Sequence, residues 1–395
     1  MELRFLTEEK IEGKAKVLVP KLEDVKPGLK DQARSRAAVF YNPIMRLNRD
    51  TAVLILCVLR EEFKIPLKTC EPMCGSGIRG IRLAIEAGVG SVTLGDLNPS
   101  AIQLAEENIA RNHVGNFVQA RVMDANLLLN IHSNPMNRFD YVDLDPYGSP
   151  STFTDSAIRA TKDGGIIALT ATDLAPLCGV NPAACLRKYG GKPLRGGYSH
   201  EVALRLLIGS IIRQAAIHEC AAIPVFSYYA DHYVRAYMRL VYGARITDSI
   251  IAQMGYILHC EKCLHRITSK GSYPKAERKC PECGTIMKVA GPLWLGETSD
   301  LIYCGNLLEN AYKKDVQWEP RLINLITMIR DEIGYPPYFF QVDEISSRLK
   351  LSSQNLETLI IKLRKEGFKA VRTHFNPRGI KTDAPVTQLA NVLKA

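Results

Sequence analysis

The sequence lacks an apolar run long enough to cross a membrane. The longest run, Ala52–Leu59, is far shorter than the roughly 20 apolar residues that a transmembrane helix requires. The first residues, MELRFLTEEK, are charged and lack the apolar core of a signal peptide. No internal repeat and no low-complexity segment stands out. These absences predict a cytoplasmic protein without a membrane anchor.

Acidic residues are scarce relative to basic ones. The chain of 395 residues has 41 Asp and Glu against 51 Lys and Arg, which gives a net charge of +10. A cytosolic protein this basic often binds nucleic acid, although a basic surface without a partner would have the same composition. Hydrophobic residues make up 46% of the chain, which excludes extensive disorder, and the length favours two or three domains.

The 11 cysteines are an odd number in a large cytosolic chain, so a disulfide framework is not expected. Four of them form two C-x2-C pairs, namely Cys260 with Cys263 and Cys280 with Cys283. This spacing predicts a structural zinc site with four thiolate ligands and no open position for catalysis. The alternative is four reduced thiols without metal. The remaining cysteines stand singly and are expected to be small buried hydrophobes.

A glycine turn follows the first strand of the central region. Residues 67–71 form a strand candidate, and CGSGIRGIRLA then places Gly75, Gly77 and Gly80 where a helix begins. Glycines allow a ligand to approach the backbone, and a helix N-terminus offers free N–H groups. Asp96 ends the next strand, about 20 residues later, where doubly wound folds place a ribose-binding acid. Asp96 could instead cap the helix that begins at Pro99.

The segment FDYVDLDPYG, residues 139–148, predicts a buried strand that opens into a stiff turn. Asp145 supplies a hydrogen-bond acceptor, Pro146 restricts the backbone, and Tyr147 offers a face for stacking. An acceptor beside a stacking ring suits a flat substrate with an amino group. The pattern resembles the (Asp/Asn)-Pro-Pro-(Tyr/Phe) motif of amino methyltransferases acting on nucleic acid bases, although the second proline is missing. An ordinary Asp-Pro turn is the alternative.

The order of these features favours one cofactor over another. A third strand, residues 117–125, ends near Asp124, and the DPYG turn ends the fourth. A nicotinamide dehydrogenase needs only the glycine turn and Asp96. A methyltransferase that uses S-adenosylmethionine needs all four features: the glycine turn for the methionine part, Asp96 for the ribose, Asp124 for the adenine amino group and DPYG for the acceptor.

Several further segments resemble the tRNA (guanine-26-N2)-dimethyltransferase family in order along nearly the whole chain. They are EGKAKVLVPK, VFYNPIMRLNRD, GSGIRGIR, DLDPYGSP, TATDLAPLCG, LRGGYSHE and VRTHFNPRGIKTDAP. The resemblance implies cofactor contacts at Arg49, Arg79, Asp96, Asp124 and Ala125, in addition to the turn glycines Gly75 and Gly77. It also implies that Phe40 and Tyr147 flank the target guanine and that Asp145 meets its exocyclic amine. Without the resemblance, Phe40 would be assigned to the core.

Two basic segments are candidates for contact with tRNA. No acid occurs between Leu174 and His200, and the glycine-rich sequence there predicts a basic loop carrying Arg187, Lys188, Lys192 and Arg195. After residue 319 the pattern predicts a winged-helix-like unit, in which Ser352 and Ser353 cap a helix that ends at Gly367. Its cations favour contact with the RNA backbone, and the candidates are Lys362, Arg364, Lys365 and Arg372. Both segments could instead be solvated faces.

These observations predict an α/β protein. Residues 1–250 would form a class I S-adenosylmethionine-dependent methyltransferase domain, Rossmann-like, with a mostly parallel seven-stranded sheet. Residues 251–395 would form an α+β tRNA-binding domain with the zinc knuckle and the winged-helix-like unit. The expected function is methylation of guanine N2 in tRNA by a monomer. Alternatives are an amino methyltransferase acting on another base or RNA, on DNA adenine or cytosine, and a non-enzymatic zinc-ribbon RNA-binding protein.

Overall fold

The computed structural model describes residues 3–21, 37–352 and 354–394. The strands are β1 Thr7–Glu12, β2 Ala15–Pro20, β3 Lys68–Glu71, β4 Ser91–Asp96, β5 Val118–Val122, β6 Phe139–Leu144, β7 Thr161–Ala171, β8 Cys220–Ala230, β9 Tyr233–Tyr242, β10 Met254–His259, β11 Arg266–Lys270, β12 Lys288–Trp294, β13 Phe340–Gln341, β14 Ala370–Thr373 and β15 Asn376–Thr382. The helices, including short 3₁₀ and π segments, are Pro43–Met45, Arg46–Phe63, Ile78–Arg82, Leu83–Ala87, Pro99–Arg111, Ala125–Ile131, Pro135–Asn137, Thr154–Ala160, Leu174–Leu177, Pro182–Tyr189, Ser199–Ala216, Ala244–Ile251, Leu301–Lys313, Leu322–Asp331, Val342–Leu349, Leu356–Lys365 and Val386–Lys394.

The largest sheet has seven strands in the order β5-β4-β3-β6-β7-β9-β8. The four pairs from β5 to β7 are parallel, whereas β8 and β9 form an antiparallel hairpin. Counted from β3, the order is 3-2-1-4-5-7-6, so the chain reverses its direction of travel across the sheet between β3 and β6. In open α/β sheets, ligands bind beyond the carboxyl ends of the strands at such a switch point. The predicted fold class is therefore confirmed.

The longest apolar run of the sequence lies inside the helix Arg46–Phe63. Every residue of Ala52–Leu59 in this helix is buried, which explains why the run is apolar on all sides rather than on one stripe. Lys64, in the left-handed conformation with φ of 54°, ends the helix, and its N–H donates to the carbonyl of Arg60. The run is thus a core helix of a globular unit.

The chain forms two compact units. The first consists of residues 1–146, 152–169 and 305–324, and the second of residues 147–151, 170–304 and 325–395. In the first unit the hairpin β1–β2 is held to the helix Pro99–Arg111 by Asn108, whose amide accepts from Leu18 N at 2.6 Å and donates to Leu18 O at 2.9 Å. The division into functional domains at residue 250 stays a prediction.

The second unit contains the three-stranded sheet β11-β10-β12 and the winged-helix-like segment, which comprises residues 340–394. In that segment β13, β15 and β14 form an antiparallel sheet beside the helices Val342–Leu349 and Leu356–Lys365. Asn355 caps the second helix by accepting from Glu357 N at 2.8 Å, so the cap predicted at Ser352 is wrong. Ser353 lies outside the described residues. The cap belongs to Asn355 because its side chain stands directly before the first helical turn.

Buried charges tie the winged-helix-like segment to the rest of the second unit. Lys381 Nζ lies 2.5 Å from Glu201 Oε1, which also accepts from Arg205 at 3.0 Å. Glu332 accepts from His374 N at 2.6 Å and contacts the His374 ring at 2.7 Å. All five side chains are nearly inaccessible to solvent. Since a buried charge is costly unless it is paired, these contacts fix the segment in one arrangement.

Candidate active site and metal centre

The glycine turn after β3 has the backbone conformation that requires glycine. Gly75 and Gly77 have φ values of +51° and +74°, a region that other residues adopt at a cost. A Cβ on Gly77 would also stand 3.0 Å from Ala105 Cβ, and one on Gly75 would stand 3.0 Å from the carbonyl oxygen of Phe40. Both the backbone conformation and the close packing of this turn therefore favour glycine, and the turn lies at the switch point of the sheet, as the sequence predicts.

Asp96, at the end of β4, is hydrogen-bonded to this turn. Its Oδ2 accepts from Gly75 N at 2.9 Å, and its Oδ1 accepts from Asn98 N at 2.9 Å. The helix Pro99–Arg111 is capped by Asn98, whose side chain accepts from Ser100 N at 3.0 Å. Asn98, and not Asp96, therefore caps this helix. The carboxylate of Asp96 lies beside the glycine turn.

Asp124 is the N-cap of the helix Ala125–Ile131. Its Oδ1 accepts from Leu127 N at 3.0 Å, while Ala125 is buried directly behind it. A carboxylate at an N-cap satisfies one free backbone N–H and keeps its other oxygen for a further partner. Asp96 is the last residue of β4 and Asp124 lies two residues after β5, so both acids stand at carboxyl ends of neighbouring parallel strands.

Arg79 lies at the centre of a buried ionic cluster. Its Nε donates to Glu71 Oε1 at 2.9 Å, and one terminal nitrogen donates to Asn48 Oδ1 at 2.6 Å and lies 3.3 Å from Asp143 Oδ2. The other terminal nitrogen donates to Asp145 Oδ2. The Arg79 side chain is 3% exposed, and that of Asp145 is 16% exposed. The predicted acceptor is therefore held at the edge of a buried ion network.

The carboxylates in this cluster outnumber the guanidinium. Burial raises the pKa of Glu71 to about 8, because the attraction of Arg79 does not offset the desolvation and the negative charges of Asp143 and Asp145. Asp143 is fully buried and also accepts from Tyr141 at 2.6 Å. Burial and the neighbouring carboxylates therefore disfavour the charged form of Glu71 despite its contact with Arg79.

Arg49 belongs to a second buried cluster that the sequence did not predict. Its Nε and one terminal nitrogen donate to both oxygens of Glu12, at 2.6 and 2.5 Å, and the guanidinium also donates to the carbonyl of Asn42 at 3.3 Å. Glu12 accepts in addition from Arg82 at 2.8 Å. Burial would raise the pKa of Glu12, but the charges and hydrogen bonds of both arginines outweigh it and lower the pKa to about 2.

Arg82, fully buried, joins three acids in that second cluster. Besides Glu12 it contacts Glu86 Oε2 at 2.9 Å and Asp50 Oδ1 at 2.6 Å. Glu12 and Arg82 are separated by 70 residues, so local sequence patterns do not indicate their contact. Glu12 begins EGKAKVLVPK, a segment that carries the family resemblance, and this was the one feature of the sequence that pointed to Glu12.

The two aromatic residues predicted to flank a base are both accessible. Phe40 is 46% exposed, and Tyr147 is 83% exposed. The backbone before Phe40 is fixed by Asn98, whose amide donates to the carbonyl of Ala38 at 2.7 Å. The core interpretation of Phe40 is therefore wrong, whereas Val39 beside it is buried.

The basic segment between Leu174 and His200 is not a loop throughout. It contains the helices Leu174–Leu177 and Pro182–Tyr189, and a proline stands at the first position of the second helix, where it is compatible with helical geometry. The four predicted RNA-binding cations, Arg187, Lys188, Lys192 and Arg195, are all exposed. Lys188 forms an ion pair with Asp173 at 2.8 Å.

The four cysteines of the two C-x2-C pairs come together as predicted. The sulfur atoms of Cys260, Cys263, Cys280 and Cys283 all lie within 4.8 Å of one another. In each pair, the N–H of the residue after the second cysteine donates to the carbonyl of the first cysteine at 2.9 Å. These residues, Leu264 and Gly284, have φ values of +64° and +73°. The result is two similar turns that point four thiols at one centre, the donor set that zinc prefers.

Two of the four predicted cations of the C-terminal segment make contacts within the protein. Arg372 forms an ion pair with Glu357, and Arg364 donates to the carbonyl of Ala370 at 2.8 Å. Arg364 and Lys365 are exposed, and Lys362 is partly exposed. The positive charge of this surface is therefore smaller than the four cations alone would give, because folding brings Glu357 against Arg372.

Across residues 3–21, 37–352 and 354–394, no helix is both long and apolar enough to span a lipid bilayer.

Comparison with known proteins gives one consistent result. A profile of the N2,N2-dimethylguanosine tRNA methyltransferase family matches residues 13–394. The chain is 37% identical to the tRNA (guanine(26)-N(2))-dimethyltransferase of Methanosphaera stadtmanae over 383 residues, which cover 97% of this chain and 95% of that protein. It is 36% identical to the protein of the same name from Pyrococcus abyssi, with 98% of each chain covered.

A solved structure is similar over the same length. The complex of Trm1 from Pyrococcus horikoshii with S-adenosyl-L-methionine has a TM-score of 0.86 and 35% sequence identity, covering 98% of this chain and 99% of that chain. The resemblance that the sequence segments indicated is therefore confirmed.

Proposed function

Because the chain belongs to the N2,N2-dimethylguanosine tRNA methyltransferase family, we propose that it methylates the exocyclic N2 of guanine 26 in tRNA, once and then a second time. It is an S-adenosylmethionine-dependent methyltransferase. The observation that carries the proposal is the family match over residues 13–394, which includes an acceptor carboxylate, Asp145, at the carboxyl end of β6. A monomer acting in the cytoplasm is expected and stays a prediction.

The residues at the carboxyl ends of β3, β4 and β5 fit S-adenosylmethionine. We assign the backbone of Gly75 and Gly77 to the methionine part, Asp96 to the ribose hydroxyls, and Asp124 with Ala125 to the adenine. The support is the glycine turn at the switch point of the sheet and the two carboxylates at the carboxyl ends of β4 and β5. Arg49 is a further proposed contact, although its bonds to Glu12 and Asn42 leave at most one of its five N–H groups for a ligand.

Asp145 is the proposed acceptor for the guanine amine. The N2 lone pair is delocalised into the ring, so the amine is a poor nucleophile until a carboxylate reorients it and takes its proton. Such general-base help contributes roughly 10²–10⁴-fold in rate. The cofactor, when bound, supplies an activated methyl group. Phe40 and Tyr147 are proposed to stack on the guanine once it has left its stack in the RNA, which their exposure allows.

The proposed function is tested with an unmodified tRNA transcript and cofactor labelled in the methyl group. Nucleoside analysis should find label in N2-methylguanosine and N2,N2-dimethylguanosine, and a transcript with adenosine at position 26 should remain unlabelled. Label in another nucleoside, or in DNA adenine or cytosine, would contradict the assignment.

The cysteine group is proposed to hold one structural zinc ion. Four thiolates close the coordination shell, so the metal would stabilise the β11-β10-β12 region and take no part in methyl transfer. Protein purified without chelators should contain about one zinc per chain, and chelation should lower its melting temperature. Cys280→Ser should lose the metal, whereas the control Cys178→Ser, which changes a cysteine outside the group, should retain it. A metal-free wild-type protein would refute the site.

Two exposed basic segments are proposed to contact the tRNA backbone. Each lost phosphate contact should reduce the salt dependence of binding by roughly 0.7–0.9 in log–log slope. Filter binding over a salt series compares wild type with two quadruple alanine variants, one at Arg187, Lys188, Lys192 and Arg195 and one at Lys362, Arg364, Lys365 and Arg372. We expect both slopes to fall, the second by less than four contacts because Arg372 is paired with Glu357.

A matched control for this experiment removes four exposed lysines of the first unit, Lys14, Lys16, Lys64 and Lys68. Its slope should stay close to that of wild type. An equal fall in the control would show that net charge, and not these two segments, sets the affinity, while unchanged slopes in both quadruple variants would make the segments solvated faces.

A further inference from the structure

The two C-x2-C turns share one backbone conformation but differ in a side chain. In each turn the residue after the second cysteine has positive φ and donates its N–H to the carbonyl of the first cysteine. This residue is Gly284 in the second turn and Leu264 in the first. Glycine adopts positive φ readily, whereas a bulky residue in this conformation is strained and persists only where its surroundings stabilise it. The leucine therefore indicates a role for its side chain that the turn alone does not require.

The side chain of Leu264 is buried in the core of the winged-helix-like segment. It is 2% exposed and belongs to one apolar cluster with Val342 and Ile345 of the helix Val342–Leu349. The rest of that cluster's buried side chains come from residues 340–394. The first cysteine turn thus completes the core of a segment that begins 76 positions later in the chain.

Arg348, on the same helix of the segment, binds the backbone of this turn. One terminal nitrogen donates to the carbonyls of Glu261 at 2.5 Å and of Lys262 at 2.9 Å, the two residues between the first pair of cysteines. The N–H groups of the same two peptide bonds belong to Lys262 and Cys263, and both are hydrogen-bonded to the sulfur of Cys260. The helix therefore holds the peptide groups that surround a predicted metal ligand.

A third contact begins two residues after Leu264. The buried guanidinium of Arg266 donates to the carbonyl of Phe339, directly before the segment, at 2.5 Å and lies 4.6 Å from the ring centroid of Phe340. The hydroxyl of Tyr338 donates to the carbonyl of Arg266 at 3.3 Å. Apolar packing, hydrogen bonds and a cation–π contact therefore all join this part of the chain to the segment.

We propose that the first C-x2-C turn, residues 260–264, is the docking site of the winged-helix-like segment, so that metal binding by the cysteines and docking of the segment stabilise each other. The inference rests on the proposed zinc site and on the proposed contact of the segment with tRNA. A metal-bound turn holds Leu264 and the two carbonyls in the positions that the segment binds. The docked segment in turn holds the peptide groups around Cys260, because coupling between two binding events is reciprocal.

The first test measures hydrogen exchange of the helix Val342–Leu349 in the full chain, with zinc bound and after chelation. Chelation should speed exchange in this helix, because the helix loses a stabilising contact. It should also weaken binding of the tRNA transcript by about tenfold, within the usual range for coupled sites. The cofactor Kd should not change, because the proposed cofactor residues lie on other elements.

Two variants separate docking from loss of the metal. Leu264→Gly gives the first turn the residue that the second turn already has, so the turn should still bind zinc while the segment loses a core side chain. Loss of a buried leucine side chain should speed exchange of the helix by roughly 10²-fold with zinc bound. Arg348→Ala should speed exchange as well, and it should lose zinc to a chromophoric chelator at about tenfold lower chelator concentration.

Arg330→Ala is the matched control for the arginine variant. The side chains of Arg330 and Arg348 are both 39% exposed, and Arg330 pairs with its neighbour Asp331. This control removes the same charge from the same unit and should keep the wild-type exchange and zinc affinity. If Leu264→Gly does not fold, Arg348→Ala carries the same exchange measurement.

Two results would overturn the inference. One is wild-type exchange in the helix after chelation and in both variants, since the segment would then dock without the turn. The other is a wild-type zinc affinity in Arg348→Ala, since docking would then not support the metal site. Failure of the proposed zinc site is distinct, because the wild-type protein would contain no metal. Failure of the proposed tRNA contact would leave tRNA affinity unchanged on chelation while exchange of the helix still rises.

Discussion

Asp145→Asn is expected to lower the rate of guanine methylation by roughly 10²–10⁴-fold, the usual contribution of a general base. The amide keeps the shape of the side chain but cannot take a proton from the amine. Cofactor affinity should stay unchanged, because the proposed cofactor residues follow other strands. The measurements are single-turnover methylation of unmodified tRNA and calorimetric titration with S-adenosylmethionine.

Asp155→Asn is a suitable control for this variant. Asp155 is an exposed carboxylate that pairs with Arg159 on the helix Thr154–Ala160, so its loss should leave the methylation rate intact. If Asp145→Asn retains the wild-type rate while Asp155→Asn does the same, Asp145 is not the base. Asp145 would then be only the partner of Arg79 in a structural ion pair.

Glu12→Gln is expected to be the most destabilising single change described here. Glu12 accepts from Arg49 and Arg82 in a buried position, and a glutamine would leave both guanidinium groups without its negative charge. Removing one partner of a buried ion pair costs about 3–5 kcal/mol of unfolding free energy. Urea unfolding at pH 7 measures the difference. Glu8→Gln on the same strand is the control, because its pair with Lys10 is exposed and should contribute about 0–1 kcal/mol.

The pH dependence of this difference follows from the pKa of Glu12. Its pKa is about 2 in the folded protein and 4.5 ordinarily, so its stabilising contribution is fully present above about pH 4.5. The contribution is lost as the pH falls toward 2, where the carboxylate of the folded state takes up its proton. The wild type and the glutamine variant should therefore converge in stability over this range. A difference independent of pH would mean that the charge of Glu12 is not responsible.

Local patterns predicted the parts of the site that depend on neighbouring residues. The turn at Gly75 and Gly77, the acids Asp96 and Asp124 at strand ends, and the four cysteines are all where the spacing placed them. Each of these features depends only on residues close together in the sequence. Glycine adopts positive φ, polar residues follow a buried strand, and two cysteines in a C-x2-C turn can bind the same metal.

The ion networks could not be predicted in the same way. Arg79 and Asp145 are 66 residues apart, and Arg49 and Glu12 are 37 apart, so their contacts depend on how elements that are distant in the sequence pack together. The helix Pro182–Tyr189 was missed for another reason. Its flanking glycines and lack of acids resemble a loop, although the proline at its start was a local signal for a helix.

The buried pairs of the winged-helix-like segment bear on how this segment could evolve or be engineered. Lys381 belongs to the segment, but its partner Glu201 lies on the helix Ser199–Ala216, about 180 positions earlier. Grafting residues 340–394 onto an unrelated protein would leave that lysine without its buried partner, and in the donor protein Glu201 would be paired with Arg205 alone. The segment therefore resembles a winged helix, but it cannot be exchanged as an independent module. Recombination would have to transfer it together with the helix Ser199–Ala216.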